Sequence, residues 1–227
     1  MEQQMQQPLP LTRARLKTPR AAAIAGIVFS VLLTTTLVLL RISVPAISPE
    51  TQEWSATKSG TVVLALNLVP FAGIAFLWFI GVVRDRLGAS EDRFFATVFF
   101  GSGILFLAMF FAATAVGGAV ILVLNAAPKL MIESGAYTFG RAISAQIMNV
   151  FALKMAGIFM VSTATLAMRT HILPRWITLP GYALAALLLL SSRFTDWLPL
   201  AFPLWVLVLS LYILIENLRG TKPGAAA

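Results

Sequence analysis

From Phe94 to Leu124 the chain carries no charged residue. As an α-helix this run is about 46 Å long at 1.5 Å per residue, more than the roughly 30 Å hydrocarbon core of a bilayer. A helix that is apolar all round must be buried all round, in a large core or in lipid. Similar stretches recur along the sequence. Ala22–Leu40 and Thr61–Val83 are uncharged, Ile147–Met168 holds only Lys154, and Trp176–Ser192 and Trp197–Ile215 are again uncharged. The fifth of these is the shortest.

Composition closes off a soluble alternative. Only 11% of residues are charged and 59% are hydrophobic, whereas a soluble domain has about 25% charged residues to cover its surface. The expected fold is all-α, a polytopic membrane bundle of six transmembrane helices. Residues 21–218 form this membrane domain, between a flexible basic tail at 1–20 and a short tail at 219–227.

The net charge of +8 would suggest nucleic acid in a soluble protein. Here the basic residues fall between the apolar runs, where they orient helices, so no nucleic-acid partner is expected. With the N-terminus inside, the cytoplasmic set is Arg13, Arg15, Lys17, Arg20, Arg84, Arg86, Arg93, Arg169, Arg175, Arg219 and Lys222. The opposite set is smaller: Arg41, Lys58, Lys129, Arg141 and Arg193. This bias places both termini in the cytoplasm. The first apolar run is too long for a signal peptide and lacks a clear cleavage site, so it is expected to remain as a helix. The basic N-terminal tail can orient that helix or attract anionic lipid headgroups, at about 1 kcal/mol per charge.

Between the second and third runs lies Arg84-Asp85-Arg86-Leu87-Gly88-Ala89-Ser90-Glu91-Asp92-Arg93. Gly88 suits a helix end, and Ser90 with Glu91 and Asp92 suits the start of the next. Arg84, Arg86 and Arg93 could instead converge on an anion or a docking partner. The third run must tilt, project or break, with Gly117-Gly118 its weak point; the glycines read first as a packing site and alternatively as a hinge bordering a polar cavity. Their small-xxx-small spacing with Ala113 and Thr114 permits close helix packing. Asn125–Gly140 reads as an outer connection, in which Leu130-Met131-Ile132 could lie at the interface or dip back into the membrane.

Lys154 is the most informative single residue. A charge at membrane depth costs between about 2.5 and more than 10 kcal/mol, which snorkelling toward headgroups relieves. With the helix starting near Ile147, Lys154 lies about 10 Å from its outer end. At 3.6 residues per turn, Thr165 falls about 20° from Lys154, and Ser162, Ser144 and Gln146 about 80° away. This polar stripe admits three readings: a snorkelling or paired lysine, a substrate or ion path, or a headgroup or partner contact. Possible charge partners are Glu133 and Asp196. Asn67 and Pro70 in the second run add a polar group and an expected kink. Asn67 could bond a neighbouring helix or join a coordinating site, and Asn149 resembles it.

Sites for cofactors are not evident. There is no cysteine and a single histidine, His171, so thiolate metal sites and bis-histidine haem ligation are ruled out within one chain. His171 suits a helix C-terminus. No phosphate loop, serine elbow or metal motif occurs, so neither metal, cofactor nor enzymatic activity is expected. Retinal bound through Lys154 would lack an acidic counter-ion in any span.

The segment RDRLGASEDRFFATVFFGSGILFLAMFF, Arg84 to Phe111, resembles uncharacterised bacterial multi-pass membrane proteins, as does Leu173-Pro174-Arg175-Trp176 followed by Gly181. The resemblance implies a bacterial cytoplasmic membrane location and no particular activity or functional residue. The expected function is a non-enzymatic binding, accessory or structural membrane protein, with a homo-oligomer or protein partner possible. The alternative is a small transporter or ion channel using Lys154, Asn67, Gln146, Ser162 and Thr165.

Overall fold

The computed structural model describes residues 18–43, 56–87, 93–169, 173–190 and 197–219. Every long element among them is helical: α1 Thr18–Ser43, α2 Ala56–Leu87, α3 Arg93–Ala126, α4 Pro128–Glu133, α5 Ala136–Gln146, α6 Leu153–Arg169, α7 Arg175–Leu190 and α8 Ala201–Arg219. A π-helical segment, Ile147–Ala152, joins α5 to α6, and a 3₁₀ turn, Leu198–Leu200, leads into α8. Five helical stretches are long and apolar enough to cross a membrane; α7, at 16 residues, is shorter. At 1.5 Å per residue α7 reaches about 24 Å. The tail 1–17 lies outside the described residues, as do His171, Asp196 and the side chains of Arg86 and Arg93.

Neighbouring helices run antiparallel. α1 packs along α2 and α8, α3 along α2, α5 and α6, and α6 along α7. Gly26 near the start of α1 meets Ser210 at the middle of α8, and Gly181 of α7 meets Trp205 of α8. Trp176 at the start of α7 lies edge-on to Tyr212 near the end of α8, with centroids 6.0 Å apart. The alternation gathers Arg20, Arg84, Arg169 and Arg219 at one end of the bundle, called here the basic end. Two of these guanidiniums lie over rings of α3: Arg84 over Phe100 at 5.0 Å and Arg169 over Phe95 at 4.5 Å. Such cation–π contacts contribute about 0.5–1 kcal/mol at exposed positions.

The core is a cluster of phenylalanines. Phe76 of α2 is its hub, with ring centroids 4.5 Å from Phe29, 5.5 Å from Phe106, 5.3 Å from Phe159 and 5.8 Å from Phe202. Those four rings come from α1, α3, α6 and α8. One side chain therefore contacts helices distant in sequence. A smaller cluster of Val120, Leu124, Met131 and Tyr137 folds α4 and α5 back against the end of α3.

Of the two readings of Gly117-Gly118, packing holds and the break does not: α3 runs unbroken from Arg93 to Ala126. The glycines serve packing: a Cβ at Gly118 would stand 3.1 Å from Leu66 of α2, and one at Gly117 3.2 Å from Ser144 of α5. α2 holds the exposed Pro70 within its length and continues on both sides of it. The helix holding Lys154 starts at Ala136 rather than near Ile147, so much of the expected outer connection is helical. Gly135, at φ 71°, makes the left-handed turn that starts it, a conformation that glycine adopts without steric penalty.

Candidate functional site

At the end opposite the basic residues, the helices leave a cavity of about 280 Å³. Its walls come from the last turns of α1 (Leu37, Leu40, Arg41), the first turns of the apolar part of α2 (Val62, Leu66) and the second half of α3 (Phe110 to Ile121). α5 and the π segment contribute Tyr137, Arg141, Ser144, Ala145, Met148 and Asn149, and the 3₁₀ turn contributes Trp197, Pro199 and Leu200.

Local structure explains why the cavity stays open. Tyr137, Arg141, Ser144 and Met148 follow one another at the i, i+4, i+7, i+11 spacing of a single helix face. α5 is held to α3 by the Ser144 hydroxyl, which donates to the Ala113 carbonyl at 2.7 Å. Gly140 of the same helix sits against Val120, where a Cβ would not fit. Immediately afterwards the helix widens into the π segment. A π turn inserts an extra residue into the α-helical ladder, and such bulges are frequent at functional sites. Here the wide turn brings half-buried Met148 and Asn149 to the cavity wall.

Depth along the helices places the cavity. Counted from the basic end at 1.5 Å per residue, Leu66 lies about 27 Å up α2 from Arg84, and Arg41 about 31 Å up α1 from Arg20. Asn149 lies about 30 Å from Arg169, and Arg141 about 42 Å. One hydrocarbon thickness is roughly 30 Å. The apolar floor thus falls within that thickness and the two guanidiniums at or beyond it. The lining contains no aspartate or glutamate, so among the described residues the cavity carries two positive charges.

The expected site residues are not gathered in this cavity. Ser144 and Asn149 line it, but Lys154, Asn67, Gln146, Ser162 and Thr165 do not. Ser162 is buried and donates to the Ile158 carbonyl at 2.9 Å. Thr165 donates to the Val161 carbonyl at 2.8 Å and lies 2.7 Å from the Tyr182 hydroxyl of α7. Both hydroxyls are thus engaged within the bundle. Asn67 and Gln146 are exposed on its outer surface, and Lys154 is half-buried about 22 Å from Arg169. Gln146 and Ser144 lie across the π segment from Lys154, so a uniform helical wheel misplaces them relative to it. Glu133 is exposed on α4, and Asp196 lies outside the described residues. Arg84 rests on Phe100; the side chains of Arg86 and Arg93 are not described.

Arg41, Arg141 and Tyr137 were not singled out from the sequence as site residues. The two arginines read only as orienting charges, although the stripe from Tyr137 to Met148 was present in the spacing. No sequence signal marks the π segment. Among the described residues no cluster of metal-ligating side chains occurs. No protein-family model matches the chain, and no curated protein or solved structure matches it significantly.

Proposed function

We propose that this is a six-span protein of the bacterial cytoplasmic membrane, with both termini cytoplasmic, which binds an amphiphile drawn from the membrane and catalyses no reaction. α7 is the sixth span, short but antiparallel to α6 and α8. The observation that carries the functional reading is the cavity, apolar where it lies within the hydrocarbon thickness and cationic where headgroups begin. Ligand sites are typically concave and apolar, with a few placed polar groups, and this chamber has that division along its depth. Trp197, half exposed at its rim, has the amphipathic indole favoured at membrane interfaces.

Native mass spectrometry of the protein extracted in mild detergent tests this reading. The wild type should carry an adduct of lipid mass. Thr114→Phe, which places a ring in the chamber, should lose most of it while the melting temperature stays within about 2 °C. Thr114 only donates to helix carbonyls of Phe110 and Phe111, so its hydroxyl leaves no buried partner stranded. Equal adducts in both proteins would remove the cavity from lipid binding.

The transporter or channel reading retains one specific observation. Lys154 is half-buried within a membrane-crossing helix, with no ion pair among the described residues. On our account it snorkels, so Lys154→Met should leave thermal stability unchanged or raised, and proteoliposomes of either protein should show no ion or proton flux. Wild-type flux abolished by Lys154→Met would favour transport instead.

A further inference from the structure

We infer that the amphiphile is an anionic phospholipid of the leaflet at the cavity end, its phosphate held by Arg41 and Arg141 and an acyl chain lying against Leu37, Leu66 and Phe110. This rests on the amphiphile-binding reading and specifies the headgroup.

Charge, geometry and depth lead to it together. The cavity has two guanidiniums and no carboxylate in its described lining. A zwitterionic headgroup would bring a cation beside them, whereas a net-negative headgroup complements both. Guanidinium matches phosphate through paired N–H donors in a planar fork, which an ammonium does not. Both arginines also make contacts within the protein. Each has five N–H donors, enough to hold a protein partner and a ligand at once. Asn149 adds an amide and Tyr137 a phenol on the same wall.

Depth selects a lipid over a soluble anion. Arg41 lies about one hydrocarbon thickness from the basic end, at the level of lipid phosphates. Below it the lining turns apolar, which a free phosphate would leave unfilled. Leu37, one turn beneath Arg41, and Leu66 line that lower part.

The test uses the full-length, delipidated protein in mild detergent, titrated with phosphatidylglycerol and with phosphatidylcholine of identical chains. Phosphatidylglycerol should bind about tenfold or more tighter than phosphatidylcholine. Combining Arg41→Gln with Arg141→Gln should abolish that preference, and the corresponding pair of lysine substitutions should retain part of it. The lysine pair, which keeps both charges, together with melting curves for all variants, separates lost recognition from lost folding. Inorganic phosphate at the same concentration should not displace the lipid.

Equal binding of the two lipids, unaffected by the glutamine pair but abolished by Thr114→Phe, would overturn the anionic assignment and leave the amphiphile site standing. Binding of both lipids unaffected by Thr114→Phe would overturn the site itself. Displacement by inorganic phosphate would make this a soluble-anion site and contradict the lipid assignment.

Discussion

Gly26→Leu should prevent the bundle from closing. At position 26, α1 packs tightly against both α2 and α8. A Cβ there would overlap the Ser210 hydroxyl of α8 and stand 2.8 Å from Phe79 of α2. Neither obstacle yields easily, because Phe79 is fully buried and stacks toward Phe76 at 6.3 Å. In lipid, helices associate largely through close packing, since the acyl chains are as apolar as the side chains they replace. Forcing α1 away therefore loses the main source of cohesion along two interfaces. Overpacking of a dense core typically costs about 1–3 kcal/mol, and the four-carbon side chain here meets obstacles on two sides. A loss of about 3 kcal/mol or more is expected, read as a large fall in melting temperature in detergent. Gly101→Leu is the control: nothing lies within 4 Å of a Cβ at Gly101, so its stability should be unchanged.

Phe76→Ala should have the next largest effect, about 2–4 kcal/mol. In a soluble core, Phe→Ala costs about 3–5 kcal/mol, part of it transfer free energy from water. A membrane bundle loses less of that part, because lipid replaces water as the alternative surroundings. What remains is the cavity and the five ring contacts to Phe29, Phe79, Phe106, Phe159 and Phe202, each worth about 0.5–1.5 kcal/mol beyond area burial. Phe76→Leu should recover about half of the loss. Equilibrium unfolding in mixed micelles would measure both. A loss below about 0.5 kcal/mol for Phe76→Ala would mean that the hub does not hold the bundle together.

How much of this was legible in the sequence depends on whether charge marked it. Phe94–Leu124 is free of charge, and α3 follows it to within a few residues, as α1, α2 and α8 follow their own runs. At the outer end of the fourth span the signal runs the opposite way. Arg141, Ser144 and Gln146 make α5 amphipathic, so hydropathy reads it as a connection, although its face toward α3 is regular. The packing role of Gly117-Gly118 was legible in their spacing with Ala113 and Thr114, and the alternative of a hinge rested on glycine weakening an isolated helix. In the bundle, Leu66 and Ser144 occupy the space those glycines leave, and the helix continues.

The site was less legible than the fold. A cavity is a property of several helices meeting, here α1, α2, α3 and α5 with the turn before α8, and no local pattern encodes its volume. Arg41 and Arg141 are a hundred residues apart in sequence and share a cavity only because the last turns of α1 and the face of α5 both border it. Lys154 drew attention because a charge in an apolar run is locally conspicuous. The polar stripe built around it assumed a uniform helix, which the π segment interrupts. Ser162 and Thr165 prove to be satisfied by the backbone and by Tyr182.

In the proposed arrangement the cavity opens on the membrane face opposite the basic end. The chain has no cysteine, so single substitutions can report sidedness without background. Glu133→Cys on α4 and Arg175→Cys at the start of α7 are the decisive pair, since both positions are exposed. Labelling with a membrane-impermeant maleimide, in right-side-out and in inverted vesicles, should modify Glu133→Cys only in the former and Arg175→Cys only in the latter. Modification of both from the same side would contradict the alternation of spans and, with it, the placement of the cavity at the outer boundary.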